Sequence, residues 1–201
     1  MVQGVTGIVV MGASGSGKST LGRQLALVLG CPFVEGDDLH PAANVAKMAR
    51  GTALEDEDRW PWLKAVANAL NAAEGEVCVL SCSALKRSYR DFIVDCAAGA
   101  VLFVFPRVDR STLQYRLDHR PGHYMPPSLL ESQLAILELP EPDEVIIELD
   151  GTLPVATLVA GVLDYLSTRL PSRDILAESS GHASTQILGR VTTDNIPGTN
   201  Q

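Results

Sequence analysis

The stretch GASGSGKST, Gly12 to Thr20, follows the apolar run Ile8, Val9, Val10, Met11 and precedes LGRQLALVL, a segment with helical periodicity. A glycine, four free positions and then Gly-Lys-Ser, set between a strand and a helix, is the pattern of a backbone loop that cradles phosphate. Gly12, Gly15 and Gly17 let the chain curl with its N–H groups inward, where side chains would obstruct phosphate oxygens. Ala13, Ser14, Ser16 and Thr20 complete the loop and the turn behind it, whose dipole and unpaired N–H groups favour an anion. Lys18 is long enough to reach the β- and γ-phosphates of a nucleotide such as ATP, and the Ser19 hydroxyl is suited to ligate Mg²⁺.

Outward from this loop, strand-like and helix-like segments alternate, which is the sequence form of a parallel sheet covered by helices. Short runs, apolar on both faces, predict strands over Gly7–Met11, Pro32–Glu35, Val77–Cys82, Val101–Phe105 and Val145–Leu149. Helices are predicted over Lys18–Leu29, Pro41–Ala49, Asp58–Ala73, Ala84–Cys96, Ser111–His119, Ser128–Leu137 and Pro154–Leu170. With 201 residues, 46% of them hydrophobic, the chain has material for one sizeable α/β core. A formal charge of −8 argues against nucleic-acid and anionic-membrane partners, while leaving room for a few basic residues to converge on an anionic ligand. No run approaches the length of a membrane span, and the N-terminus reads as a buried strand, so a cytoplasmic protein is expected. Cys31, Cys78, Cys82 and Cys96 show no paired metal spacing. On one strand Cys78 and Cys82 would lie about 13 Å apart, which favours free thiols over a disulfide.

Ligands of open parallel sheets gather beyond the carboxyl ends of the strands, so polar clusters just after each strand are the candidate site. Glu35, Asp37, Asp38 and His40 follow the second strand: Asp37 is suited to orient a hydroxyl and accept its proton, and Glu35 to hold a Mg²⁺-bound water. Between Asn44 and Leu63 the chain makes an excursion in which Asp56 or Asp58 would cap a helix, with Pro61 in its first turn. Trp60 and Trp62 are read as packing residues. Arg59 is read two ways, as a fork to a ligand carboxylate or as a surface ion pair with neighbouring acids. After the third strand, Lys86, Arg87 and Arg90 stand one turn apart at a helix start, and at least one is expected to meet an anionic substrate. Arg116, His119, Arg120 and His123 form a last basic cluster around the helix-breaking Pro121-Gly122, where Arg116 and Arg120 suit a segment that closes over phosphates.

Taken together, GASGSGKST, EGDDLHP, the NVAKM to DRWPWL stretch, CSALKRSYRD, RLDHRPGHYM and SQLAILELPEPDE resemble a bacterial-type gluconokinase, over roughly Gly7 to Leu170. The resemblance implies a phosphate-loop kinase with a five-stranded parallel sheet in 2-3-1-4-5 order flanked by helices, similar to shikimate and adenylate kinases. It implies transfer of the ATP γ-phosphoryl group to the 6-hydroxyl of D-gluconate with Mg²⁺, and commonly a homodimer. Carried over by position, Gly12 to Ser19 would hold the triphosphate and Asp37 would face the reacting hydroxyl. His40, Arg59, Lys86 and Arg90 would meet the polyol and its carboxylate, Arg116 and Arg120 would act from the lid, and Asp150 to Pro154 would lie by the adenine. The kinase domain is expected over residues 1–170, with a substrate excursion at about 38–63 and a lid at about 116–127. Two features depart from the family: Glu35 stands where many relatives have Asp, and the tail 171–201 extends past the usual end. Rich in Ser, Thr, Gly and Asn, that tail is expected to be a disordered appendage, with a short helix near Ile175 to Leu188 as the exception.

Rival readings make different demands. A GTPase would carry an Asn-Lys-x-Asp motif, and a motor ATPase an acid at the end of the third strand, where this chain has Ser81 and Cys82. A nucleoside or nucleotide kinase would need an aromatic or amide pocket for a second base, where the positions here are basic and polar. A non-catalytic ATP-binding module would dispense with Lys18 or Asp37, and both are present.

Overall fold

VTGIVV, FVE, CVLS, AVLFVFPR and IIELD are short and largely apolar, and each becomes a strand, the central three buried and the two edge strands partly exposed. They are β1 (Val5–Val10), β2 (Phe33–Glu35), β3 (Cys78–Ser81), β4 (Ala100–Arg107) and β5 (Ile146–Asp150). The computed structural model describes residues 5–73, 77–119 and 127–169. Arg120, His123 and the tail 171–201 lie outside them, and with them much of the expected lid. All five strands run parallel in the order β2-β3-β1-β4-β5, the order that the resemblance implied. β1 is central, with Ile8 between Val79 of β3 and Leu102 of β4.

The helices are α1 (Lys18–Leu29), α2 (Ala42–Ala49), α3 (Asp56–Asn71), α4 (Arg87–Cys96), α5 (Arg110–Asp118), α6 (Pro127–Ala135) and α7 (Val155–Arg169). Alternation along β1 divides the core. Val9 and Met11 face α3 and α4 with Trp62, Val66 and Ile93, while Ile8 and Val10 face α1 and α7 with Leu25 and Val162. A third, smaller cluster joins Ala13 of the phosphate loop to Leu113, Leu117 and Leu130 of α5 and α6. The four cysteines are free, and burial pushes the Cys82 thiol up to about 12, so that it stays protonated and inert.

Two helix starts shift by two or three residues from the sequence reading. α3 begins at Asp56, because Glu55 takes the N-cap position and its N–H donates to the Asp58 carboxylate at 2.7 Å. Pro61 therefore lies inside the helix, past the first turn, and removes one backbone bond there. α4 begins at Arg87, three residues later than its periodicity suggests. Ala84 turns to φ +40 and Lys86 is extended as N-cap, so the chain bends once more before the helix starts. A 3₁₀ turn over Gly36–Leu39 is also present, too short to leave a periodic trace in the sequence.

Candidate active site

The phosphate loop is pinned to the sheet end by Met11 N–H donating to Val104 O at 2.8 Å and Gly12 N–H donating to Ser83 O at 3.0 Å. Gly12, Gly15 and Gly17 take φ values of +127, +84 and +92, which side-chain-bearing residues rarely adopt. Helix α1 starts behind Gly17 with no side-chain cap and no acidic residue in its first turn, leaving its positive end for an external anion. Ser16 Oγ is buried without a hydrogen-bond partner, alone in this among the described residues. A phosphate oxygen would satisfy it, so the loop fits the triphosphate that its sequence implies. Lys18 folds back with Nζ 3.0 Å from Ala13 O. From α5, Arg116 donates to Gly15 O at 3.4 Å and to Gly151 O at 2.9 Å, tying the phosphate loop to the turn after β5.

Beside the loop, the strand ends of β2 and β3 form a second wall. Glu35 and Ser81 are register partners, and the Ser81 hydroxyl donates to Glu35 Oε1 while accepting the Gly36 N–H at 3.2 Å. Arg23 holds the other Glu35 oxygen at 2.9 Å. Asp37 and Asp38 are exposed on the 3₁₀ turn, and the Asp37 carboxylate accepts no hydrogen bond among the described residues. Burial is the largest cause of the rise in the Cys82 thiol pKa, to which the Asp37 carboxylate adds and which the Lys18 ammonium opposes.

The turn carrying Asp37 is fixed by buried contacts. Trp62, 1% exposed, donates from Nε1 to Gly36 O at 2.7 Å. A side chain at Gly36 would place its Cβ 1.9 Å from Ser81 O, a backbone atom that no rotamer change can move. Gly36→Ala is therefore expected to shift the Asp37 turn by about 1 Å and lower kcat by about 10²-fold. It should also destabilise the fold by about 1–3 kcal/mol. Steady-state kinetics and denaturant unfolding check this, and an unchanged kcat would show that the turn tolerates displacement.

His40 stacks on Trp62, with ring centroids 4.2 Å apart and planes 14° from parallel. Its pKa is lowered chiefly by burial, with Arg59 adding to the fall and Asp37 opposing it, so the ring is neutral near pH 7. The Asn44 amide donates toward Nδ1 at 3.4 Å, which assigns the ring proton to Nε2 and makes that edge a donor. Asn44 is in turn held by Asp58 O at 2.7 Å.

The cations expected to meet an anion separate into two groups. Arg59 and Lys86 converge on Asp56, with Lys86 Nζ 2.7 Å and 2.8 Å from its two oxygens and Arg59 at 3.3 Å. Tyr89 closes the cluster, donating to Asp56 at 2.5 Å and accepting from Arg59 at 3.0 Å. Asp56 is held below the usual carboxylate range, first by Lys86 and then by Tyr89. Two cations share one carboxylate, so the cluster keeps a positive charge for a ligand. Arg90, in contrast, is 1% exposed: it pairs with Glu144 at 2.5 and 2.8 Å and donates to the Ala84, Leu85 and Glu138 carbonyls. Glu144 takes up the Arg90 fork, and the structure does not bring Arg90 together with Arg59 and Lys86. Arg87 points away as well, to Glu141 and Asp143, each at 2.7 Å.

Asp56, Tyr89, Asn44 and Gln133 carry no ligand-site signal in the sequence. Asp56 reads there as a helix cap, and Tyr89 and Asn44 have no motif of their own. Gln133 lies in the quoted SQLAILELPEPDE segment, and its Oε1 accepts the Ser14 N–H at 2.8 Å.

A family model described as an AAA domain matches residues 8–140. The chain is 49% identical over 148 residues to a gluconokinase of Gluconobacter oxydans, covering 72% of this chain and 82% of that one. It is 43% identical over 138 residues to the thermosensitive gluconokinase of Escherichia coli, covering 68% and 73% of the two chains. Among solved structures, a gluconokinase from Sinorhizobium meliloti superposes with a TM-score of 0.75 at 45% identity, over 86% of this chain and 97% of that one. With identities of 43–49% over more than two thirds of each chain, and the same fold in the solved relative, the chain belongs to the gluconokinase family.

Proposed function

We propose that the protein transfers the γ-phosphoryl group of ATP to the 6-hydroxyl of D-gluconate, giving 6-phospho-D-gluconate and ADP. The observation that carries this is one sheet edge holding three things side by side. They are a phosphate loop with an unsatisfied buried hydroxyl, the exposed Asp37 carboxylate, and a positively charged Arg59–Lys86–Tyr89 cluster. The acceptor oxygen forms a bond to the γ-phosphorus as the bond to the β–γ bridging oxygen breaks, and the hydroxyl proton passes to Asp37. Lys18 and the loop N–H groups stabilise the charge on the transferring group, with Arg116 and Arg120 assigned to the nucleotide side. Ser19, and Glu35 through water, would hold Mg²⁺, which neutralises phosphate charge when bound. His40 donates from Nε2 to an acceptor hydroxyl, and Arg59 and Lys86 face the carboxylate. The family resemblance supports a cytoplasmic homodimer, and among the described residues no helix is long and apolar enough to cross a membrane.

A coupled ADP-release assay across gluconate, other sugar acids, shikimate, neutral sugars and nucleosides tests the reading. Gluconate is expected to give the highest kcat/KM, with neutral sugars losing the charge-assisted contacts. Turnover with a nucleoside and none with gluconate would overturn it.

A further inference from the structure

The segment from α6 to the start of β5 touches both halves of the site. On the nucleotide side, Leu130 is fully buried against Ala13, and Gln133 Oε1 accepts the Ser14 N–H at 2.8 Å. On the acceptor side, Glu138 N–H donates to Leu85 O at 2.8 Å, and the Glu138 carboxylate accepts the Arg87 N–H at 2.5 Å, capping α4 directly behind Lys86. Glu144 then locks the segment to the buried Arg90. One stretch of chain is thus bonded at one end to the phosphate loop and at the other to the turn that presents an acceptor-side cation.

We propose that Gln133 is a positioning residue for phosphoryl transfer, holding the phosphate loop through the Ser14 N–H at a fixed separation from the Lys86 turn. The inference rests on the kinase reading above. Ser14 sits among peptides whose N–H groups must point into the cradle. An acceptor on its own N–H fixes that peptide plane before nucleotide arrives, so reorientation is not left to the reaction step. The chemistry of the side chain fits this task. A neutral amide oxygen accepts the bond without setting a negative charge beside the triphosphate, as a glutamate there would. The half-buried position on α6 also makes the residue a poor candidate for a packing role, since Leu130 and Leu134 already supply the apolar contact.

Two variants separate the contributions. Gln133→Met keeps the length and removes the acceptor, and Gln133→Glu keeps an acceptor and adds charge. In the nucleotide-free protein, hydrogen exchange of the Ser14 amide is expected to quicken in Gln133→Met and to stay slow in Gln133→Glu. With ATP and gluconate, Gln133→Met should lower kcat by about 10- to 100-fold, with Tm near that of the parent. Gln133→Glu should hold kcat closer to the parent and raise the ATP KM, an effect that shrinks as salt is added. Unchanged Ser14 exchange in Gln133→Met overturns the proposal, as does faster exchange with kcat within about twofold of the parent. Equal losses of kcat in both variants that track Tm would assign Gln133 to folding and also overturn it. If the parent turns over no gluconate, the kinase reading fails by itself, and Ser14 exchange still decides whether Gln133 holds the loop.

Discussion

Asp37→Asn is expected to lower kcat with gluconate by about 10³-fold, within the range for a positioned acid–base group. The ATP KM should move by less than about threefold, because the role proposed for the carboxylate is toward the acceptor and not toward the loop that grips the nucleotide. Asn keeps the size and loses both the charge and the proton-accepting oxygen. The fold should not notice: Asp37 is exposed, and the contacts that fix its turn run through the Gly36 backbone to Trp62 and Ser81. Asp38→Asn, one residue along the same exposed turn, is the control and should remain within a few-fold of the parent. Steady-state kinetics in both substrates decides the matter. Parallel losses in kcat and in ATP affinity would move Asp37 from the acceptor to the nucleotide or its metal.

The largest effect on stability is expected from Glu144→Ala. It leaves the Arg90 guanidinium, 1% exposed, with three carbonyls and no counter-charge. Breaking one half of a buried pair destabilises by about 3–5 kcal/mol. The Arg90→Met, Glu144→Leu double replacement should recover much of that, because it removes both desolvated charges together. Denaturant midpoints measure each arm, and a single replacement as stable as the parent would show the pair to be dispensable. The pH dependence has a defined sign. The Arg90 hydrogen bond holds the Glu144 carboxyl below its ordinary value of 4.5, so its contribution is complete above that pH. It is lost as pH falls from there through the lowered folded value, so the parent should lose more stability on acidification than Glu144→Ala does.

The same pair shows where the sequence stopped being legible. Short apolar strands, the helix behind the phosphate loop and the alternation between them follow from periodicity and glycine placement, so α1 has the bounds that its sequence predicts. Side-chain pairing across the fold leaves no such trace. Lys86, Arg87 and Arg90 look alike on a helical wheel, yet Asp56 draws Lys86 to the acceptor edge while Glu144 takes Arg90 into the interior. Those acids lie far along the chain from the cations they select, and nothing in local spacing joins them. Gln133 was hidden for a related reason: a single amide on a helix has no pattern, and only its distance to Ser14 gives it meaning. Gly36 is the opposite case, a glycine set by close approach to Ser81 O and not by backbone φ.

The central position of β1 has a consequence for how the protein comes into being. The nucleotide loop leaves the ribosome before the strands that flank β1, so its shape depends on chain that does not yet exist. Gly12 waits for Ser83 and Met11 for Val104 before their amides have partners, and Ile8 has no strand on either side until Val79 and Leu102 are made. Contacts so distant in sequence form late and slowly. A nascent chain arrested short of β4 would thus carry the whole GASGSGKST motif and still lack a nucleotide site, so ATP becomes a ligand of the protein only once β4 has been translated.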